Sequence, residues 1–225
     1  MNQQIEMLER AGKLLSALDE HLVFVGGATI SLYLDDASVE DVRTTKDVDC
    51  VVEITSRAEY YKLSDKLRKI GLNEDTKSSV ICRWCYEDLI IDIMPTNEEI
   101  LGFSNCWYLP GINKAISHKL PSGQSILIFT VSYLLASKIE AFNSRGRTNP
   151  YSSPDLEDII LLLDGCPYLE DNFQETDIDV VTFVKNWFKS EINLLREIAP
   201  AQMPYASRQS GREPILLSLI EKLAQ

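Results

Sequence analysis

Apolar residues recur at helical spacing near the start of the chain. Ile5, Leu8, Ala11, Leu14, Leu15 and Leu18 share one face, which predicts a helix over residues 4–18. The wholly apolar run Leu22-Val23-Phe24-Val25 reads as a buried strand, and Gly26-Gly27 turns it into a helix near residues 27–34. An acidic stretch from Asp35 to Asp41 then leads to a second β-prone run over residues 47–54. Helical spacing returns over residues 57–70, with Gly71 placed to close the helix. Strands over residues 79–86 and 89–94 pair as a hairpin across Glu87-Asp88, and Pro110-Gly111 and Ser122-Gly123 mark turns in a further β-rich stretch. From Thr130 onward the pattern is helical, over residues 130–143, 155–164, 177–198 and 213–224, with a polar linker from Arg145 to Pro154. The expected architecture is α/β followed by α: a mixed β-sheet flanked by helices over residues 1–128, and a C-terminal helical subdomain over residues 129–225.

Composition narrows the setting. No apolar run reaches the roughly 18 residues that suggest a membrane span. Met1-Asn2-Gln3-Gln4-Ile5-Glu6 lacks a basic-then-apolar leader, so a cytoplasmic protein with no membrane association is expected. The five cysteines are odd in number and irregular in spacing, which argues against a disulfide framework. Cys82-Arg83-Trp84-Cys85 falls in a predicted strand, where an offset of three sends the two sulfurs to opposite faces, and no second pair completes a zinc site. His21 and His118 are far apart with no patterned partners, and read as structural residues. A net charge of −12 disfavours broad nucleic-acid binding and leaves room only for a local basic strip formed from Arg43, Lys46, Lys138, Arg145 and Arg147. The plainer reading of Arg145 and Arg147 is that they offset the dipole at a helix C-terminus.

The chemistry concentrates in two segments. Gly26-Gly27 follows an apolar strand, and glycine lets a backbone approach a phosphate closely, with the amides of the next helix favouring negative charge. Twenty residues after Gly27 comes Asp47-Val48-Asp49, whose acids point to one face of a strand and can share a divalent cation. Each half alone has a plain alternative, a tight turn for the glycines and an N-cap with a solvated neighbour for the acids. A third acid, Asp92, interrupts the apolar strand Leu89-Ile90-Ile91-Asp92-Ile93-Met94, where a charge is costly unless something pairs it.

These residues resemble the polymerase β-like nucleotidyltransferases, and within them the AbiEii branch that includes toxins of toxin-antitoxin pairs. Gly26, Gly27, Asp47, Asp49 and Asp92 match that family's glycine pair, Asp-x-Asp strand and later third acid in order. Downstream, the helix bearing Lys138 and the helix start at Asp155 and Asp158 match a further feature of the branch, so the resemblance covers roughly residues 20–165. The resemblance implies Asp47, Asp49 and Asp92 as catalytic and metal-binding acids for Mg²⁺ or Mn²⁺. It also implies Gly26, Gly27, Lys46, Lys138, Asp155 and Asp158 as nucleotide contacts, with the nucleotide in the cleft between the two subdomains. An alternative for Asp155 is a helix N-cap. The implied activity is transfer of a nucleoside monophosphate from a nucleoside triphosphate to an acceptor hydroxyl, with a tRNA 3′ end as the expected acceptor and a cognate antitoxin as the expected partner. A protein or small-molecule acceptor, or a non-catalytic binding or antitoxin module on the same fold, are the alternatives. Two departures stand out: the acidic insertion before Asp47, expected to rim the pocket, and Pro154 where many relatives carry a basic residue. A P-loop hydrolase is excluded because no Gly-Lys-Ser or Gly-Lys-Thr occurs, and a metal phosphoesterase is disfavoured because neither histidine lies near an acidic motif.

Overall fold

The computed structural model describes residues 3–35 and 43–225. Most of the acidic stretch expected to rim the pocket therefore lies outside the described residues. The chain forms two compact units, residues 1–29 with 44–130, and residues 30–43 with 131–225. Residues 30–35 and Arg43, which the sequence reading assigns to the first unit, group with the second.

In the first unit, α1 (Gln3–Leu15) precedes β1 (Leu22–Val25), and after Gly26 the chain enters a 3₁₀ helix, Gly27–Leu32, tighter and shorter than the helix the sequence predicts. The unit continues through β2 (Val48–Val52), α2 (Arg57–Lys69), β3 (Asn73–Glu74), β4 (Arg83–Tyr86) and β5 (Leu89–Pro95). Two short helices follow, α3 (Glu98–Leu101) and α4 (Tyr108–Asn113), and then β6 (Ile116–Lys119) and β7 (Ser125–Ile128). Among the described residues the strands form one seven-stranded sheet in the order β3-β4-β5-β2-β1-β7-β6. Parallel pairs, β2 with β5 and β1 with β7, occupy its centre, and antiparallel hairpins form its two wings. Central strands are apolar on both faces, as parallel strands covered on both sides must be: Val23, Cys50, Val51, Ile91 and Ile93 are all fully buried. Helix α1 packs on β2 and β5. Gly12 lets that helix approach β7 so closely that a Cβ there would lie 2.8 Å from Ile126 Cγ2.

The second unit contains α5 (Val131–Ala141), continued by a π-helical turn (Phe142–Gly146), then α6 (Pro154–Gly165), α7 (Leu169–Glu175), α8 (Ile178–Gln202), α9 (Tyr205–Gln209) and α10 (Glu213–Leu223). Every residue of α5 from Val131 to Ile139 is buried, because α6, α7 and α8 all pack against it. The hydroxyl of Ser132 on α5 donates to Asn172 Oδ1 at 2.6 Å and that of Tyr133 to Asp177 Oδ2 at 2.6 Å, which ties down the polar groups this burial would otherwise strand. Trp187 of α8 stands edge-on to Phe142 and Phe188, with ring centroids 5.7 Å and 5.1 Å away.

Several predicted elements shift. Pro110-Gly111 lies inside α4 rather than at a strand turn, and glycine is needed there because a Cβ would meet Phe129 Cζ at 2.6 Å. The first hairpin strand begins at Arg83, and Glu87 turns the hairpin with φ of 54°, a left-handed conformation in a non-glycine residue. The segment from Arg145 to Pro154, read as a linker, carries the end of the π-helical turn and a 3₁₀ turn at Pro150–Ser152. Short helices α7 and α9 had no sequence prediction.

Helix α2 ends as its sequence suggests. Gly71 N–H donates to Arg68 O and Leu72 N–H to Leu67 O, the paired bonds of a Schellman cap, with Gly71 at φ of 93°. A Cβ at that position would also lie 3.2 Å from Tyr86 Cε2. Gly71→Ala is therefore expected to lower stability by about 1–2 kcal/mol, read as a lower urea midpoint at unchanged slope.

Candidate active site

The sheet register builds the site. Val25 of β1 faces Asp49 of β2, Asp49 faces Asp92 of β5, and Asp92 faces Arg83 of β4, so one row of partners runs across four neighbouring strands. Strand β2 starts at Val48, which leaves Asp47 one residue ahead of it and on the face that Asp49 shares. Gly26 closes the row's other end. It adopts φ of 76°, and a Cβ there would fall 1.9 Å from Asp49 Oδ2, so the glycine is required both by its backbone and by the carboxylate lying against it. Gly27 opens the 3₁₀ helix, and the Thr29 hydroxyl donates to Gly26 O at 2.9 Å, fixing the turn.

Sequence reasoning missed the residue that organises the cluster. Arg83 donates from Nε to Asp92 Oδ1 at 2.8 Å, from Nη2 to Asp92 Oδ2 at 2.7 Å and from Nη2 to Asp47 Oδ2 at 2.6 Å. The second oxygen of Asp47 accepts from Thr45 Oγ1 at 2.9 Å. Side-chain exposures of 19% for Arg83 and 8% for Asp92 mean that these charge-assisted bonds are largely shielded from water. Hydrogen bonding to Asp92 holds the Arg83 guanidinium above its ordinary pKa, against the opposing effect of burial. The signal was present: counting outward from the two-residue turn at Glu87-Asp88 pairs position 83 with position 92.

A hard divalent ion suits this donor set in chemistry, since Asp49 and Asp92 are register partners and Asp47 lies one residue ahead of β2, with no soft ligand among the three. Asp47, Asp49 and Asp92 would hold it. Yet among the described residues no group of three acid, histidine or cysteine side chains stands together as a metal-holding cluster. The Arg83 guanidinium spans the gap between Asp47 and Asp92. Neighbouring thiols do not compete as ligands or nucleophiles. Burial, and secondarily Asp92 and Asp49, push Cys82 up to about 12, and burial pushes Cys50 well above its ordinary value.

The second predicted group lies in the helical unit. Lys138 Nζ sits 2.6 Å from Asp158 Oδ2 and 3.4 Å from Asp155 Oδ1, with the lysine side chain only 9% exposed. Arg145 grips Asp155 with two bonds, Nε to Oδ2 at 2.7 Å and Nη2 to Oδ1 at 2.9 Å. Arg43 lies 3.4 Å from Glu157 and 3.7 Å from Asp158. The N-cap of α6 is Ser153, whose hydroxyl accepts from Leu156 N–H at 3.3 Å, so Asp155 is not the cap but a buried counter-ion. The expected basic strip is thus largely committed: Arg147 donates to Glu191 Oε1 at 2.8 Å and lies over the Phe142 ring. Lys46 is exposed, with no ion pair among the described residues. His118 is half-buried on β6, away from any acid of the row in register, and burial lowers its pKa.

No protein-family model matches this sequence, and no curated protein matches it. Solved structures do share its fold. An antigenic nucleotidyltransferase-like protein from Paracoccidioides brasiliensis superposes with a TM-score of 0.53 at 16% identity, over 91% of this chain and 95% of that one. The antibiotic-resistance factor ANT(2'')-Ia superposes with a TM-score of 0.50 at 13% identity, over 88% of this chain and 97% of that one. The chain has a nucleotidyltransferase-type α/β fold, and at these identities the likeness is one of fold. Among the described residues no helix is long and apolar enough to cross a membrane.

The buried ion pairs of the helical unit give a testable pH dependence. Burial raises the Asp155 carboxyl, but the Arg145 bonds and the Lys138 charge outweigh it, and its pKa is lowered overall. A lowered pKa stabilises the fold fully above the unfolded-chain value of about 3.9, and that contribution fades as pH falls through the lower folded value. Asp155→Asn is expected to cost about 3 kcal/mol at neutral pH by leaving the buried Lys138 under-paired. Denaturation curves of the variant and the wild type should converge at pH values below the ordinary aspartate range.

Proposed function

We propose that this protein is a metal-dependent nucleotidyltransferase, moving a nucleoside monophosphate from a nucleoside triphosphate to an acceptor hydroxyl. The observation that carries this reading is the direct register pairing of Asp49 with Asp92, with Gly26 holding the backbone open against Asp49. Nothing in strand packing calls for two acids side by side, and like charges in that position oppose folding unless a cation offsets them. Asp47, Asp49 and Asp92 would hold Mg²⁺ or Mn²⁺, which would supply positive charge against the triphosphate and the departing pyrophosphate. The acceptor oxygen attacks the α-phosphorus, the bond to pyrophosphate breaks, and the acceptor proton passes to a carboxylate. Asp92 serves as that base only if Arg83 withdraws from it. Gly26 and Gly27 supply the close backbone approach, and Lys46 is the exposed cation on the same segment as the acids. Lys138 is already matched by Asp155 and Asp158, so its net contribution to a bound triphosphate is smaller than its charge suggests.

For the acceptor we favour an RNA 3′ end, with a tRNA as the substrate, in a cytoplasmic toxin held in check by an antitoxin. That choice rests on the resemblance of the glycine pair and the three acids to the toxin branch. A second reading, a non-catalytic binding module, gains from Arg83, which occupies two of the three acids.

Incubation with each labelled nucleoside triphosphate, Mg²⁺, purified tRNA and cell protein tests the reaction and the acceptor together. Label is expected in tRNA; label in a protein band alone would replace the acceptor, and no label anywhere would favour the non-catalytic module. Asp49→Asn is expected to fold normally and lose transfer by about a hundredfold or more. A folded, metal-saturated variant at wild-type rate would remove Asp49 from the site.

A further inference from the structure

The geometry points to Arg83 as an internal cation that stands on the metal-binding oxygens of Asp47 and Asp92 and must leave them before a divalent ion is bound. The proposal rests on the reading of Asp47, Asp49 and Asp92 as metal ligands, and it adds a residue which that reading does not contain. Three hydrogen bonds of 2.6–2.8 Å place the guanidinium on both oxygens of Asp92 and on one of Asp47. A metal ion needs those same lone pairs, and it cannot share them with a planar cation that already forks across the carboxylate.

Deprotonation offers no way out. Arginine stays charged under all ordinary conditions, and its hydrogen bonds to Asp92 raise its pKa further. Release therefore means movement of the side chain, which starts at the first residue of β4. The exchange also explains how the apo protein tolerates its acids. Asp92 is 6% exposed, and a buried carboxylate without a cation would oppose folding. Arg83 supplies that cation when no metal is present, and Thr45 satisfies the remaining oxygen of Asp47. The Arg83 bonds go to Asp47 and Asp92, so those are the two acids for which an incoming ion has to compete with the guanidinium.

Mn²⁺ titration of the full chain without nucleotide, followed by loss of the free-ion electron paramagnetic resonance signal, reads the competition directly. Arg83→Gln is expected to bind Mn²⁺ at least about tenfold more tightly than wild type, with Arg83→Lys in between, and Asp92→Asn added to Arg83→Gln should abolish the gain. Melting temperature gives a second readout. Arg83→Gln should melt lower than wild type without metal and recover with Mg²⁺, whereas the wild-type curve should move little. If Arg83→Gln does not fold without metal, recovery of the fold on refolding with Mg²⁺ supports the proposal, and failure to refold with the ion, together with unchanged Mn²⁺ affinity in Arg83→Lys, overturns it. Equal or weaker Mn²⁺ binding by a folded Arg83→Gln also overturns it. That outcome in a protein that does transfer nucleotide would leave the proposed function standing, while tighter Mn²⁺ binding in a protein that transfers none would leave this inference standing alone.

Discussion

Parallel pairing of β2 with β5 sets Asp49 beside Asp92, and the surroundings of both residues are arranged around that placement. Strands about 5 Å apart put two such charges at a repulsion of about 3 kcal/mol at an effective dielectric of about 20. The sheet cannot relieve this by slipping, because a shift of one residue would turn Val48, Cys50, Ile91 and Ile93 from one face to the other. Relief has to come from neighbours. Gly26 gives Asp49 room, Arg83 bridges Asp92 to Asp47, and Thr45 bonds the oxygen of Asp47 that Arg83 leaves. Those neighbours come from β1, β4 and the approach to β2, so the charge constraint links segments that the hydrophobic pattern alone would leave independent.

The helical unit meets the same difficulty with a different balance. There Asp155, Glu157 and Asp158 face Lys138, Arg145 and Arg43, acid for base, and Asp164 is bonded by Arg212 and the Ser207 hydroxyl. Such a cluster is closed electrostatically and has no call on an outside cation. In the sheet, the guanidinium of Arg83 is shared between two acids, Asp47 and Asp92. Two carboxylates on one cation set this group apart from the acid-for-base pairing of the helical unit. Buried pairs are weak evidence of net stabilisation but strong evidence that removing one partner is costly, and the helical unit is built to that pattern.

Much of this was legible in the sequence because the relevant signals are local. The apolar run at β1, the glycine pair, the Asp-x-Asp strand, the hairpin bearing Asp92 and the Gly71 cap each follow from spacing within a few residues. What escaped depends on the third dimension. Pro110-Gly111 looks like a strand turn until Phe129 is known to press against Gly111. Residues 30–35 look like part of the first unit, although Asp35 N–H bonds Gly165 O in the second. Arg83 is the instructive failure, because its neighbours Cys82 and Cys85 drew attention to sulfur chemistry while the hairpin register already placed the arginine opposite Asp92.

An arginine on ligand oxygens resembles the mark of a disused site, but the details separate the two cases. Structural need accounts for Asp47 and Asp92 as partners of Arg83, and it accounts for the burial of Arg83 between them. It does not account for Asp49, which takes no bond from Arg83, nor for a glycine at φ of 76° with its missing Cβ filled by the Asp49 carboxylate. Replacing Asp49 by an apolar residue would relieve the repulsion and suit the flanking apolar run of β2. Keeping an acid there, with a backbone shaped to admit it, is what the proposed function explains: three hard oxygen donors beside a glycine turn would suit a divalent cation with a nucleotide's phosphates.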